Sequence, residues 1–196
     1  YTDFVDGGTA DNQDRRRQYL SICGDLLTDH LDYLVQQWKP SGQYRNYFLA
    51  LNEDEAIKKI FTGAIVLVYS ELAVERVEVA LYNQDQEDEH SCFSDNTHRD
   101  IANNYLGFKN ILTATYNEKK YGKSLFDAVD KETKTRIEKL MTSIEEKIQS
   151  IDSVAKTQAH FDYQIRPDNE QSKVIVKLKN ELRKLGDEMV NVAKAN

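Results

Sequence analysis

Ile60-Phe61-Thr62-Gly63-Ala64-Ile65-Val66-Leu67-Val68-Tyr69-Ser70-Glu71-Leu72-Ala73 is apolar at most positions, on nearly every face of a helix. A helix of that kind is normally enclosed by other helices, so the stretch reads as the central rod of an all-α bundle. The β-branched run from Ile65 to Val68 admits a buried strand as the competing reading, but the pattern runs too long for one. Just upstream, Asn52-Glu53-Asp54-Glu55 has the form of a capping box, with a cap residue three before a glutamate. The helix it opens is expected to reach Tyr82, about 45 Å at the standard rise.

Working outward, residues 11–39 read as a first long helix. Tyr19, Ile22, Leu26, Leu27, Leu31, Leu34, Val35 and Trp38 recur at spacings of three and four. Asp11 or Asn12 is placed to cap its start, and Pro40-Ser41-Gly42 to end it. Residues 44–51 form a short helical piece. Residues 83–95 are polar and without apolar period, hence a loop, and a third helix is expected from Asp95 or Asn96 to about Tyr116. Residues 117–123 make a second connection. Residues 130–151 are amphipathic, with Ile137, Leu140, Ile144, Ile148 and Ile151 on one face. A polar stretch, 152–166, leads to Pro167, which suits the first turn of a helix carrying Val174, Leu178, Leu182, Leu185 and Met189. The expected fold is therefore all-α: an antiparallel bundle of about four to five long helices, a single domain over residues 1–196.

Composition agrees. Two prolines and eight glycines leave few turn formers, and 40% apolar with 30% charged residues is a globular balance. A net charge of −7 gives no electrostatic footprint for nucleic acid. The tightest basic run, Arg15-Arg16-Arg17, sits among Asp11, Asp14 and Asp25 and reads as a solvated helix face. No stretch approaches the ~20 apolar residues of a transmembrane helix. A start at Tyr1, with no signal peptide, points to a processed or excised piece. Cys23 and Cys92 leave one disulfide and two free thiols equally open.

Chemistry-bearing side chains are densest from Asp85 to Asp100, which holds six carboxylates, two of the four histidines and one of the two cysteines. Carboxylate oxygen with imidazole nitrogen suits iron, manganese or zinc. The plainer reading is a solvated acidic loop whose Ser94 or Asp95 caps the next helix. His98 then falls in a first helical turn, where the helix dipole favours the neutral imidazole that can bind a metal. His90 is the weaker candidate, and His30 and His160 read as structural. On the central rod, Glu71, Glu75 and Glu78 are spaced to share a face, while Arg76 points elsewhere and is not their obvious partner. The apolar rod just upstream argues that Glu71 is partly buried. A short loop folds the third helix back, so Ser94, Asp95 and His98 are expected near Glu75 and Glu78, a Glu/Glu/Asp/His half-site for a hard cation. No nucleophile elbow, phosphate loop, dinucleotide fingerprint or His-Glu-x-x-His helix is present in the sequence.

Glu87-Asp88-Glu89-His90-Ser91-Cys92-Phe93-Ser94-Asp95-Asn96-Thr97-His98-Arg99-Asp100 resembles the signature of imelysin-like proteins. So do Tyr1-Thr2-Asp3-Phe4-Val5, Asp14-Arg15-Arg16-Arg17-Gln18-Tyr19-Leu20 and Glu71-Leu72-Ala73-Val74-Glu75-Arg76, in the family's order. The resemblance implies two bundle-like domains, a bacterial cell-envelope or periplasmic location, a link to iron uptake, and a metallopeptidase assignment resting on a Gly-x-His-x-x-Glu motif. That motif is not in this sequence; the nearest pattern, His30-Leu31-Asp32-Tyr33, lacks the glutamate. The chain thus looks like the later portion of such a protein, offering one wall of an interdomain site. On this reading Glu71, Glu75, Asp95 and His98 are candidate metal ligands, with Arg76, Ser94 and His90 as further site candidates. The expected partners are an upstream domain of the same protein and a metal ion, iron or zinc, or a small ligand.

Overall fold

The computed structural model describes residues 2–195; Tyr1 and Asn196, the two ends of the expected span, lie outside the described residues. Where the sequence reading treats residues 1–196 as one domain, the chain divides into two compact units, one ending at Ala56 and one starting at Ile57. The apolar core lies entirely in the second. Among the described residues, no apolar side chain before Phe61 is buried.

The first unit holds a 3-10 turn, Thr2–Phe4, then helix α1, Gln13–Trp38, and helix α2, Gln43–Leu49. Asn12 stands at the start of α1 in the left-handed region and, contrary to expectation, caps nothing with its side chain. Arg17 ties the preceding segment to α1, donating to the Phe4 carbonyl at 3.0 Å and pairing with Asp6 at 2.8 Å and with Asp14. The Arg15-Arg17 run is accordingly a solvated face tied down at Arg17 and at Arg16, which donates to the Asp11 carbonyl at 2.9 Å. After the turn at Pro40, Trp38 packs edge-on against Tyr44 with ring centres 4.9 Å apart.

The second unit is built around a rod that begins in α3, Glu53–Ile65, whose first residues belong to the first unit, and continues through a π-helical stretch, Val66–Glu78, and α4, Val79–Asn83. Asn52 caps it as expected, its side chain accepting from the Glu55 amide at 2.9 Å. The π stretch could not be foreseen from an apolar run. Its buried positions Val68, Leu72, Ala73 and Val77 recur at four to five residues, matching the wider turn of i→i+5 bonding.

Around the rod stand α5, Thr97–Thr113, α6, Lys131–Thr157, and α8, Glu170–Ala195, with the short α7, Phe161–Gln164, between the last two. The rod packs on α8 and α5, and α6 closes the ring by packing on both. Neighbours run antiparallel: Tyr105 donates to the Met141 carbonyl and Lys109 reaches Glu145, while His98, earlier on α5, lies by Asp152, later on α6. Between the rod and α8, Gly186 meets Tyr69 so closely that a β-carbon there would lie 2.8 Å from that of Tyr69. Val68, Leu72, Phe108, Ile144, Leu178 and Leu182 are among the side chains that fill the centre.

Three boundaries differ from expectation. Asp130 caps α6 through the Glu132 and Thr133 amides, but α6 runs on to Thr157, taking in residues assigned to a polar stretch. Pro167 lies in the turn ahead of α8, not in its first turn. In the connection after α5, strands β1, Thr115–Tyr116, and β2, Lys119–Lys120, form a small antiparallel hairpin. Its turn residues Asn117 and Glu118 both have positive φ, the geometry of a tight hairpin turn.

Candidate functional site

The two groups of predicted site residues lie in different surroundings. On the π-helical stretch, Glu71 is exposed and pairs with Arg76 at 3.7 Å. Both expectations for these residues are corrected by the helix type. In an α-helix residues five apart face different ways, but i→i+5 bonding brings them near one another, and the wider turn carries Glu71 out to solvent. Glu75 is exposed as well and takes part in no described ion pair or hydrogen bond. Glu78, the third carboxylate of the row, turns toward α8, where Lys179 donates to it at 2.9 Å and Arg183 at 3.3 Å. The hydrogen bond from Lys179 holds its carboxyl below the usual range, against the cost of desolvation. Arg183 also donates to the Tyr69 hydroxyl at 3.1 Å, so this face of the rod is a neutralised seam.

The other group gathers where the loop after α4 meets the first turn of α5, the end of α6 and α7. The loop is built from 3-10 turns at Gln86–Asp88 and Cys92–Ser94, and Asp95 leaves it with a positive φ of 52°. Neither Ser94 nor Asp95 caps α5; the cap position is Asn96, without a side-chain bond. The Ser94 hydroxyl donates to the Ser91 carbonyl at 3.4 Å. His90 lies 3.7 Å from Asp100, which also accepts from the Ser91 hydroxyl. Among the described residues, both cysteines are free thiols.

His98 is 6% exposed. Its Nε2 lies 3.8 Å from Asp152, which Lys156 holds at 2.5 Å, and its Nδ1 is buried without a hydrogen-bond partner. Burial is the main reason the imidazole is held below its ordinary pKa; Asp152 pulls the other way, and Arg99, Lys156 and His160 add to the burial. Desolvation therefore favours the neutral form of the imidazole. Beside it an open groove of about 510 Å³ runs between α5 and α6, past Arg99, Asn103, Gln149, Asp152 and Lys156.

One residue of this corner was not singled out in the sequence. Glu89 is also 6% exposed, with Oε1 buried and unpartnered. The Thr97 hydroxyl accepts the Ser91 amide proton at 3.1 Å, and Thr97 favours the ionised form of Glu89 without outweighing burial. Burial raises the Glu89 carboxyl to about 7, helped by the nearby carboxylates of Asp162 and Asp95. Its only sequence signal was membership of the acidic run, where five other carboxylates looked alike. Asp152 was missed because α6 was expected to end at Ile151, one residue before it, whereas the helix runs to Thr157.

Among the described residues, no three histidine, cysteine, aspartate or glutamate side chains are arranged to hold a metal ion. His98 has its charged neighbours on α5, α6 and beside α7, and no described interaction joins it to Glu71 or Glu75. The chain therefore presents one buried, neutral imidazole in a polar corner, and taken alone does not supply a metal's full donor set.

An all-α bundle with a histidine-bearing signature loop at one corner is the class that fold and site define. The imelysin family model, of peptidase class M75, matches residues 2–189, and the chain belongs to that family. No curated protein is significantly similar to it. No helix among the described residues is long and apolar enough to cross a membrane.

Proposed function

We propose that this chain is a binding domain of a cell-envelope imelysin protein, and that its His98 corner is one wall of a site for a metal ion or small ligand linked to iron uptake. The observation that carries this reading is the orphaned Nδ1 of a buried, neutral His98 inside the signature segment. A buried nitrogen without a partner is costly to maintain and is the donor such a site needs. The remaining donors come from outside these residues, in keeping with the missing three-donor group. The test is metal analysis and iron or zinc titration of the protein together with its upstream domain, comparing wild type with His98→Ala. Bound metal or measurable affinity, lost in the variant, supports the reading. Consistently metal-free protein with no affinity overturns it.

The family's peptidase class motivates a second reading, in which His98 completes a zinc site whose first ligands lie upstream. Hydrolysis needs about three protein ligands, an open position for water and a general base. Chelator-sensitive cleavage of a defined peptide, abolished by His98→Ala, would favour it over binding alone.

A further inference from the structure

Helices α5 and α6 leave an open groove of about 510 Å³ between them, a volume within the range of small-ligand sites. Antiparallel packing decides which charges meet at each end. At one end Lys109 donates to Glu145 at 2.6 Å and the Tyr105 hydroxyl donates to the same carboxylate at 3.1 Å, so the charges there are matched. At the other end Lys156 holds Asp152 at 2.5 Å, and Arg99 sets a second cation beside that single groove-lining carboxylate. Arg99 is exposed, and among the described residues its guanidinium takes part in no described ion pair or hydrogen bond. Between the ends the walls carry Ala102, Leu106 and Ile148, and Leu106 leaves 50% of its surface to water. The groove therefore offers a spare positive charge at one end, an apolar middle and a neutral far end.

We propose that this groove binds a small organic monocarboxylate with an unbranched apolar tail, its carboxylate on Arg99 and its tail along Ala102, Leu106 and Ile148. A planar guanidinium with no carboxylate of its own takes one from a ligand through two parallel N–H donors. Leu106 stands two turns of α5 beyond Arg99, about 10 Å at the standard rise, which the extended length of octanoate matches. A second carboxylate at the far end of the tail would meet Glu145 and a Lys109 already engaged by it, so one acid group is favoured over two. The site goes beyond the role proposed for His98: it needs no metal and takes no donor from that imidazole.

The test is calorimetric titration of octanoate into the full chain, with chelator present throughout. Wild type should bind saturably, and more weakly as salt is raised. Arg99→Gln, a change at an exposed side chain, should weaken binding about tenfold, the loss of a hydrogen-bonded charge pair. Leu106→Asn should weaken it while keeping the salt dependence. Butanoate should bind at least about tenfold more weakly than octanoate, because its shorter tail leaves the apolar wall to water. Suberate, with the same tail and a carboxylate at each end, should also bind more weakly than octanoate. No saturable octanoate binding, an affinity unmoved by Arg99→Gln, or suberate equal to octanoate overturns the proposal. Binding that ignores both variants belongs to apolar surface elsewhere, such as the exposed leucines of α1, and overturns it equally. Because the chelator removes metal, the groove can stand or fall apart from the binding role of His98.

Discussion

Helix α1 and helix α8 are each 26 residues long, and both carry apolar residues at spacings of three and four, yet they end up in opposite surroundings. In α8, Ile175, Leu178, Leu182 and Leu185 are wholly buried. In α1, Leu26, Leu27, Leu31, Leu34, Val35 and Trp38 are all exposed, Leu27 to 60%. Amphipathic spacing states which face a helix can bury and says nothing about whether these residues bury it. Burial is decided by the partners, and α8 has the rod and α6 against it.

The largest expected effect tests that contrast directly. Leu182→Ala should cost about 2–5 kcal/mol of unfolding free energy, because the removed side chain leaves a cavity between α8 and its neighbours. Leu27→Ala should stay within about 0.5 kcal/mol. Denaturant unfolding of the two variants checks both. An equal cost at Leu27 would mean that the α1 face is covered in solution, and the contrast would collapse.

A second pair of regions differs in the same way at the level of charge. The Glu78 seam buries carboxylate against cations; the Glu89 corner buries one against other carboxylates. Their pH signatures are therefore opposite. Glu89 has a folded pKa of about 7, above the ordinary 4.5, so its contribution to stability is complete below the ordinary range and is lost as pH rises through 7. Wild type should lose on the order of 2 kcal/mol between about pH 5 and 8 relative to Glu89→Gln, read from paired denaturation curves. Glu78 is lowered instead, so its contribution is present above the ordinary carboxylate range and fades as pH falls below it. Glu78→Gln should cost a few tenths to about 1 kcal/mol at neutral pH, with the difference shrinking in acid. A Glu78→Gln gap that widens in acid would invert the comparison.

These contrasts also mark how far the sequence can be read. The all-α bundle, the Asn52 cap and the central rod were legible, because cap chemistry and an unbroken apolar run leave a local record. The π-helical geometry of Val66–Glu78 was not, since an apolar run is compatible with either pitch, and with it went the orientation of Glu71 and Arg76. The place of His98 in the first turn of α5 was legible. Its neighbour Asp152 was not, because the pairing spans two helices and has no local trace. Glu89 was hidden differently: its burial depends on Thr97 and α7, while its sequence surroundings mark it as one more solvated acid.

The smallest effect is expected where the sequence argument was boldest. Glu71 and Glu75 became candidate ligands through the family resemblance, with Glu71 expected to be partly buried beside the apolar rod. On the π turn they need no cation: Glu71 and Glu75 are exposed, and water screens what Arg76 leaves uncompensated. An exposed pair at 3.7 Å contributes little, so Glu71→Gln and Glu75→Gln should each shift stability by less than about 0.5 kcal/mol. Neither should change the hydrogen-exchange protection of the Ser91 amide, which donates to Thr97 in the first turn of α5, beside His98. If either did, the row of carboxylates and the His98 corner would be coupled, and the division between a neutralised rod face and a separate polar corner would have to be withdrawn.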